Sequence, residues 1–472
     1  MIFFIALKKP VALTGDSTNG FCLNTPKGPL KFKSLKPGLK TAIEILCAEG
    51  TDEETLADLY IQAEGSGSLA RFYYNLEQFR KLNLICYPLN QNGRCIATLQ
   101  PGSPQFNFLK TTINPDAKYV LSRFAYLHSE QETTVLESSL GHAKIQLHDW
   151  KAAAVVHQLA SPQTLAELQT LNPEFAENTL ETLIAFCLSA KAIELADVQN
   201  GESVKESLPL QQWEFHDLLF HAKSRLGRHD NGFGGTFRFL NTIDPRPAVK
   251  PAMNDDGIDL HKPDLESLMK NDPSFAQVLE NRQSIRSYGD APLDSKRLGE
   301  FLYRVARVRS LQDADPSKGV FYPASNRPYP GGGACYELEL YPIIHRCEGM
   351  EPGLYHYNPL KHQLNLLRPL DSEVECLLKD AQNSYGGETF PDILITVSAR
   401  FNRVNWKYES LAYSLILKNV GVLYQTMYLA ATAMDLASCA LGGGDADAFA
   451  RIAGLDYYAE TSVGEFILGS HP

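Results

Sequence analysis

The stretch Asn405–Ser410, NWKYES, sets a lysine beside a tyrosine just ahead of a long run with almost no charge. Neighbouring residues inside a helix point about 100° apart, so Lys407 and Tyr408 can share a task only where the chain is still bending. Asn405 is a competent N-cap for a helix running from Trp406 to about Leu436. There the positive end of the helix dipole and the Lys407 ammonium would both favour a Tyr408 phenolate. A phenol titrates near about pH 10 in water, and lowering that value makes it a base near neutrality. A surface lysine beside an interfacial tyrosine is the other reading of the same residues.

Three further segments could hold a ligand. In ENRQSIRSYGD (Glu280–Asp290), Arg282, Ser284 and Arg286 alternate, so an extended backbone sends two guanidinium forks and a hydroxyl to one side, a set suited to phosphate. A solvated turn before a helix near Asp294 fits equally well. In SNRPYPGGGACYELELYPII (Ser325–Ile344), Pro330 leads into Gly331, Gly332 and Gly333 and then an alternating strand. Glycines allow close backbone approach to a flat ligand, although the G-x-G-x-x-G order of a dinucleotide fold is absent. In CALGGGDADAFARIAGLD (Cys439–Asp456), Gly442 and Gly443 precede Asp445, which reads as a helix cap, and turn amides there can receive a phosphate. Apolar residues fall on nearly every face of the Trp406–Leu436 helix, as in a helix buried all round, with a second subunit as part of its cover. Asn419 and Gln425 are its internal amides, open to a core or a ligand role.

The elements that position these segments are read from periodicity. Ile2–Leu7 forms a strand. Leu39, Ile43 and Leu46 share a helix face, Thr51–Glu54 opens a second helix as a capping box, and Leu69, Phe72, Leu76 and Phe79 mark a third. Two apolar runs around Asn92-Gly93 form a hairpin, and the whole is a winged helix. A second copy follows: Lys31–Leu46 resembles Lys144–Leu159, Thr55–Leu59 resembles Thr164–Leu168, and Lys81–Cys86 resembles Lys191–Ala196. Winged-helix-like domains are thus expected at 1–101 and 102–200. Residues 200–209 read as a linker, and 231–235 and 244–263 as loop. The second copy's third helix carries Glu174, Glu177 and Glu181 without Lys or Arg, and the net charge is −11, against a nucleic-acid partner. Inert packing modules and a peptide clamp working through a sheet edge remain open. The nine cysteines form no C-x-x-C pair or metal spacing, so neither disulfides nor a metal site is expected. With no signal or spanning segment read, the expected place is a reducing cytoplasm.

From about Trp213 onward the ordered set of segments resembles nitroreductase-like flavoproteins, and most closely the SagB-type azoline dehydrogenases that include cyanobactin thiazoline oxidases. The resemblance implies an α+β chain with a C-terminal domain at 201–472, a mixed sheet flanked by helices, behind two winged-helix-like domains (recognition elements for ribosomally made peptides). It implies FMN as cofactor. Arg282, Ser284 and Arg286 would meet its phosphate and ribityl chain, and Pro330, Gly331, Gly332 and Gly333 its ring. Gly442, Gly443 and Gln425 would line the same cofactor. Lys407 and Tyr408 correspond to the pair that relatives use in azoline dehydrogenation. Simple nitroreductases lack that pair and the N-terminal half. The implied partners are an azoline-containing peptide, dioxygen as electron acceptor, and a second copy of the chain. A general NAD(P)H-dependent nitro or quinone reductase and a non-catalytic peptide-binding scaffold are the alternatives.

Overall fold

The computed structural model describes residues 3–16, 20–26, 28–108, 113–196 and 206–472, and the chain divides into two compact units, Met1–Asn231 and Gly232–Pro472. In the first, β1 (Phe4–Leu7) precedes a three-stranded sheet of β2 (Ala12–Asp16), β3 (Gly20–Thr25) and β4 (Gly28–Phe32); Ile2, expected to begin β1, lies outside the described residues. Then come α1 (Pro37–Cys47), β5 (Thr51–Asp52), α2 (Glu53–Glu64) and α3 (Leu69–Lys81). Their apolar stripes bury Ile43, Leu46, Leu56, Phe72, Leu76 and Phe79 in one core. The α2 cap is Asp52, accepting the Thr55 N–H at 2.9 Å, rather than Thr51. On α3, Arg71 pairs with Glu64 and Arg80 with Glu53, so this helix presents no bare cationic face.

β6 (Ile85–Gln91) and β7 (Arg94–Pro101) form the expected hairpin. Asn92 and Gly93 both take positive φ, 51° and 74°, the left-handed pair a tight hairpin turn requires. Next are β8 (Tyr119–Leu121), β9 (Ala125–Glu130), β10 (Thr133–Ser138) and β11 (Ala143–Leu147). A second helical triplet follows, α4 (Trp150–Gln158), α5 (Leu165–Leu171) and α6 (Glu177–Ser189), then β12 (Ile193–Leu195). Here β12 pairs back onto β8 instead of opening a wing.

The two copies are fused. One seven-stranded antiparallel sheet, ordered β5-β1-β6-β7-β11-β10-β9, crosses the expected boundary at residues 101–102, and one hydrophobic core joins both triplets. α7 (Leu208–Gln211) and α8 (Phe215–Lys223) belong to the same unit: Arg123 bonds Glu206 at 2.8 Å and Lys8 bonds Asp230 at 2.9 Å. The C-terminal unit therefore begins at Gly232 rather than at residue 201; residues 200–205 of the expected linker lie outside the described residues.

The second unit contains β13 (Gly257–Asp259), α9 (Leu265–Asn271), α10 (Phe275–Asn281), α11 (Ser295–Ala306), β14 (Ser310–Gln312) and β15 (Ala324–Asn326). It continues with β16 (Leu338–Ile344), β17 (Gly353–Asn358), β18 (Gln363–Pro369), α12 (Ser372–Tyr385) and β19 (Ile393–Arg400). Last come α13 (Phe401–Asn405), α14 (Ala412–Ala433), β20 (Leu436–Leu441), α15 (Ala446–Ile452) and β21 (Glu460–Ser470). Its main sheet runs β13-β18-β17-β16-β19-β21-β20. Every strand pairing in it is antiparallel, which corrects the expected mixed sheet.

The central strands are apolar on both sides because helices cover both faces. Leu340, Val397 and Phe466 share a core with α11 and α14, whereas Tyr341, Leu394 and Ile467 pack with α12 and α15. The long apolar helix α14 starts at Ala412 instead of the expected Trp406. Within one chain Tyr413, Leu417, Gly421 and Gln425, spaced by four, form an exposed stripe on it.

Candidate active site

Residues 406–411 form the turn between α13 and α14. Tyr408 and Lys407 both donate their backbone N–H to the Val404 carbonyl, at 2.8 and 3.1 Å, so the pair closes the C-terminal end of α13. Asn405 is the last residue of α13 and not a cap for α14. A helix C-terminus favours a cation, so the expected dipole assistance to a Tyr408 phenolate is absent. Burial raises the Tyr408 phenol above its ordinary value, with the Lys407 charge and hydrogen bond opposing. At rest the phenol keeps its proton.

The turn is strapped from outside. Gly234 and Glu409 exchange backbone hydrogen bonds at 3.3 and 3.0 Å, Phe237 N–H donates to Lys407 O at 3.1 Å, and Trp406 Nε1 donates to Ile243 O at 2.6 Å. The strap explains why Ser410 can hold a positive φ of 62° and end the local helix.

The glycine loop meets this turn. Gly333 (φ +62°) carries no side chain where one would collide with the Tyr408 hydroxyl and stand 2.7 Å from Lys407 Nζ. Gly332 donates its N–H to Asn419 Oδ1 at 3.1 Å, and Asn419 Nδ2 donates to Glu337 Oε1 at 2.8 Å. Glu337 is fully buried, burial raises its carboxyl, and its second oxygen has no hydrogen-bond partner among the described residues. Beneath the loop, Arg403 donates to the carbonyls of Cys335, Pro323 and Arg246. Lys407 Nζ donates to Tyr322 Oη at 2.7 Å and lies 4.9, 5.0 and 5.7 Å from the ring centres of Tyr322, Tyr408 and Phe237.

A second cluster lies at the other end of α14. Ser284 Oγ is 2.9 Å from Tyr428 Oη, which accepts the Ala440 N–H at 2.7 Å, and the Arg282 guanidinium lies 5.4 Å from the Tyr428 ring. Ile285 N–H donates to Ser438 O at 2.9 Å, which holds the 282–286 segment beside β20, and Gly442 and Gly443 just after that strand are exposed. Asp445 caps α15 through the Ala448 N–H, as expected. Arg286 and Pro330 are exposed. Gln425 lies apart on the exposed stripe of α14.

Sequence reasoning missed Tyr322, Glu337 and Tyr428, and left Asn419 open. Only Asn419, an amide in an apolar helix, carried a local signal.

Three family models match in succession: residues 1–109 the ThcOx helix turn helix domain, 119–230 the cyanobactin oxidase ThcOx, and 279–470 the nitroreductase family. Together these matches run over most of the chain and bear out its resemblance to cyanobactin oxidases and nitroreductase-like proteins. An N-terminal helix-turn-helix part precedes a nitroreductase-fold domain, and the matched models are of oxidoreductases. A Methanocaldococcus jannaschii protein named as a nitroreductase, MJ1384, is 27% identical over 187 residues, covering 40% of this chain and 85% of its own length. The Escherichia coli microcin synthetase McbBCD complex, with truncated pro-MccB17 bound, is similar at 20% identity and TM-score 0.34, over 50% of this chain and 80% of that one. A nitroreductase-type protein of Desulfovibrio desulfuricans, crystallised with FMN, is similar at 15% identity and TM-score 0.28, over 43% of this chain and 88% of that one.

All nine cysteines of the chain are free. Among the described residues no helix is long and apolar enough to cross a membrane. Among them too, one group, His128, Glu130 and Glu137, has metal-ligand spacing; Glu137 is already bound to Lys223 and Tyr126, and Glu130 to Lys144.

Proposed function

We propose that this protein is an FMN-dependent oxidase that aromatises thiazoline or oxazoline rings in a ribosomally made, post-translationally modified peptide, with dioxygen as the final electron acceptor. The observation that carries the reading is the convergence of Lys407 and Tyr408 on Gly333, in a chain whose N-terminal parts match the cyanobactin oxidase models.

The residues present fit FMN. At one end Arg282, Ser284 and Arg286 offer cationic forks and a hydroxyl, and the open Gly442 and Gly443 offer amides, the donor set a phosphate needs. At the other, Pro330, Gly331, Gly332 and Gly333 form a loop whose bare backbone would lie against the flat ring. Asn419 and Tyr428, which anchor the two ends, are about 13 Å apart along α14 at the ordinary helical rise. Gln425 would reach the cofactor only from the exposed stripe of α14, the face we assign to a second copy of the chain in a homodimer.

Aromatising an azoline removes two hydrogens. Bound FMN supplies the hydride acceptor. Tyr408 takes the proton from the carbon that bears the ring-attached carbonyl. Its phenol must first be ionised, and the Lys407 ammonium is the charge that stabilises the phenolate against the cost of burial. Gly333 lets the pair approach the ring plane. The first unit holds the peptide: among the described residues β9 is an edge strand pairing only with β10, and Leu127 on it is 47% exposed. The test is aerobic incubation of the FMN-loaded protein with an azoline peptide, followed by mass spectrometry. Loss of two hydrogens per ring is expected; an unchanged peptide mass contradicts the proposal.

A further inference from the structure

We infer that Tyr322 is a positioning residue that aims the Lys407 ammonium at Tyr408; the inference rests on the proposed role of Lys407 and Tyr408. A phenol has one proton to give and lone pairs to accept with. The Tyr322 hydroxyl donates to the Gly333 carbonyl, so what it presents to Lys407 is its acceptor side, and Lys407 Nζ donates to it at 2.7 Å. Burial pushes the Tyr322 phenol up to about 12, so it keeps that proton.

The result is a directed chain from ammonium to phenol to loop carbonyl. Each link fixes the next. The Tyr322 ring is held by Trp406 at 6.1 Å and Phe237 at 6.4 Å, and the Arg403 guanidinium lies 5.7 Å from its centre. Arg403 also binds the adjacent Pro323 carbonyl at 3.0 Å, which fixes the backbone. A lysine is a hydrated point charge on a flexible stem. Without an anchored acceptor its ammonium would spread over many rotamers, and only some of them stand beside Tyr408. Because Tyr322 is bound to Gly333, and Gly333 lies against Tyr408, the anchor measures the lysine's position from the residue it serves.

The test compares FMN-loaded wild type, Tyr322→Phe, Tyr322→His and Lys407→Gln. Acetic anhydride labelling of Lys407, followed by mass spectrometry with the other lysines as internal standard, reads the anchor without turnover. Tyr322→Phe is expected to raise Lys407 labelling at least about threefold. Tyr322→His, which keeps a ring and a lone pair, is expected to stay near wild type and guards against a folding failure in the first variant. In azoline turnover Tyr322→Phe is expected to move the ascending limb of the kcat pH profile upward by about one unit, as a phenolate less well supported by its cation titrates later. Unchanged Lys407 labelling, or a limb that stays in place while kcat falls equally at every pH, overturns the inference. Wild-type turnover in Lys407→Gln overturns the underlying reading instead.

Discussion

Gly333 lies directly against Lys407: a β-carbon on the glycine would stand 2.7 Å from the lysine ammonium, at a backbone φ of +62°. Gly333→Ala therefore combines left-handed strain with a clash at the proposed base. A stability loss of about 1–2 kcal/mol in urea unfolding and a turnover loss of at least about 100-fold are expected. An alanine variant with near-normal kcat would show that the two side chains do not work at this loop.

Lys407 and Tyr408 should be separable by pH. Tyr408→Phe is expected to abolish azoline oxidation and leave FMN bound, since the proposed flavin contacts are elsewhere. Lys407→Gln is expected to cut kcat by about 10–100-fold and shift the ascending limb to higher pH, because burial already raises the phenol and only the lysine opposes it. A limb at the same pH in both proteins would remove Lys407 from the proton transfer.

Glu337 gives the loop a pH-dependent support. Its buried carboxyl is raised above its ordinary 4.5, so the folded state holds a proton that the unfolded chain releases. The stability this carries is complete below about pH 4.5 and drains as pH rises through the folded value. Glu337→Gln can still accept from Asn419 and removes that slope. Its urea midpoint should gain on wild type between about pH 5 and about pH 8; an equal difference at both contradicts the assignment.

Gly421 tests the homodimer. A β-carbon there meets nothing within 4 Å in this chain, and replacing a helical glycine favours the helix by up to about 1 kcal/mol. In an isolated chain Gly421→Leu is therefore harmless. Light scattering is expected to show wild type as a dimer and Gly421→Leu, or Leu417→Glu, as a folded monomer. A wild-type mass matching one chain rejects the assembly.

How legible all this was in the sequence depends on the range of the interactions. The Asn92-Gly93 hairpin was readable because two residues' backbone preferences decide it. The helical triplets were readable because their apolar spacing is local. The start of α14 was not: the apolar pattern runs unbroken through Trp406 and Leu411, and the break at Ser410 is held by Gly234 and Glu409, residues far apart in sequence. The same holds for β12, whose partner β8 lies some seventy residues upstream, a distance periodicity cannot bridge. At the site, motifs pointed to Lys407, Tyr408 and the glycine loop. Tyr322 stands 85 residues from the lysine it binds, in a segment with no pattern of its own. The dipole argument for Tyr408 failed with the helix start on which it depended.

The most direct test is an anaerobic absorbance scan of the FMN-loaded protein after adding an azoline-containing peptide, beside a parallel sample given only NADPH. Bleaching of the flavin by the peptide alone is expected, because electrons then flow from substrate to cofactor. An oxidised spectrum with peptide, and rapid bleaching with NADPH, would contradict the oxidase reading and point to a reductase in which Lys407 and Tyr408 are structural.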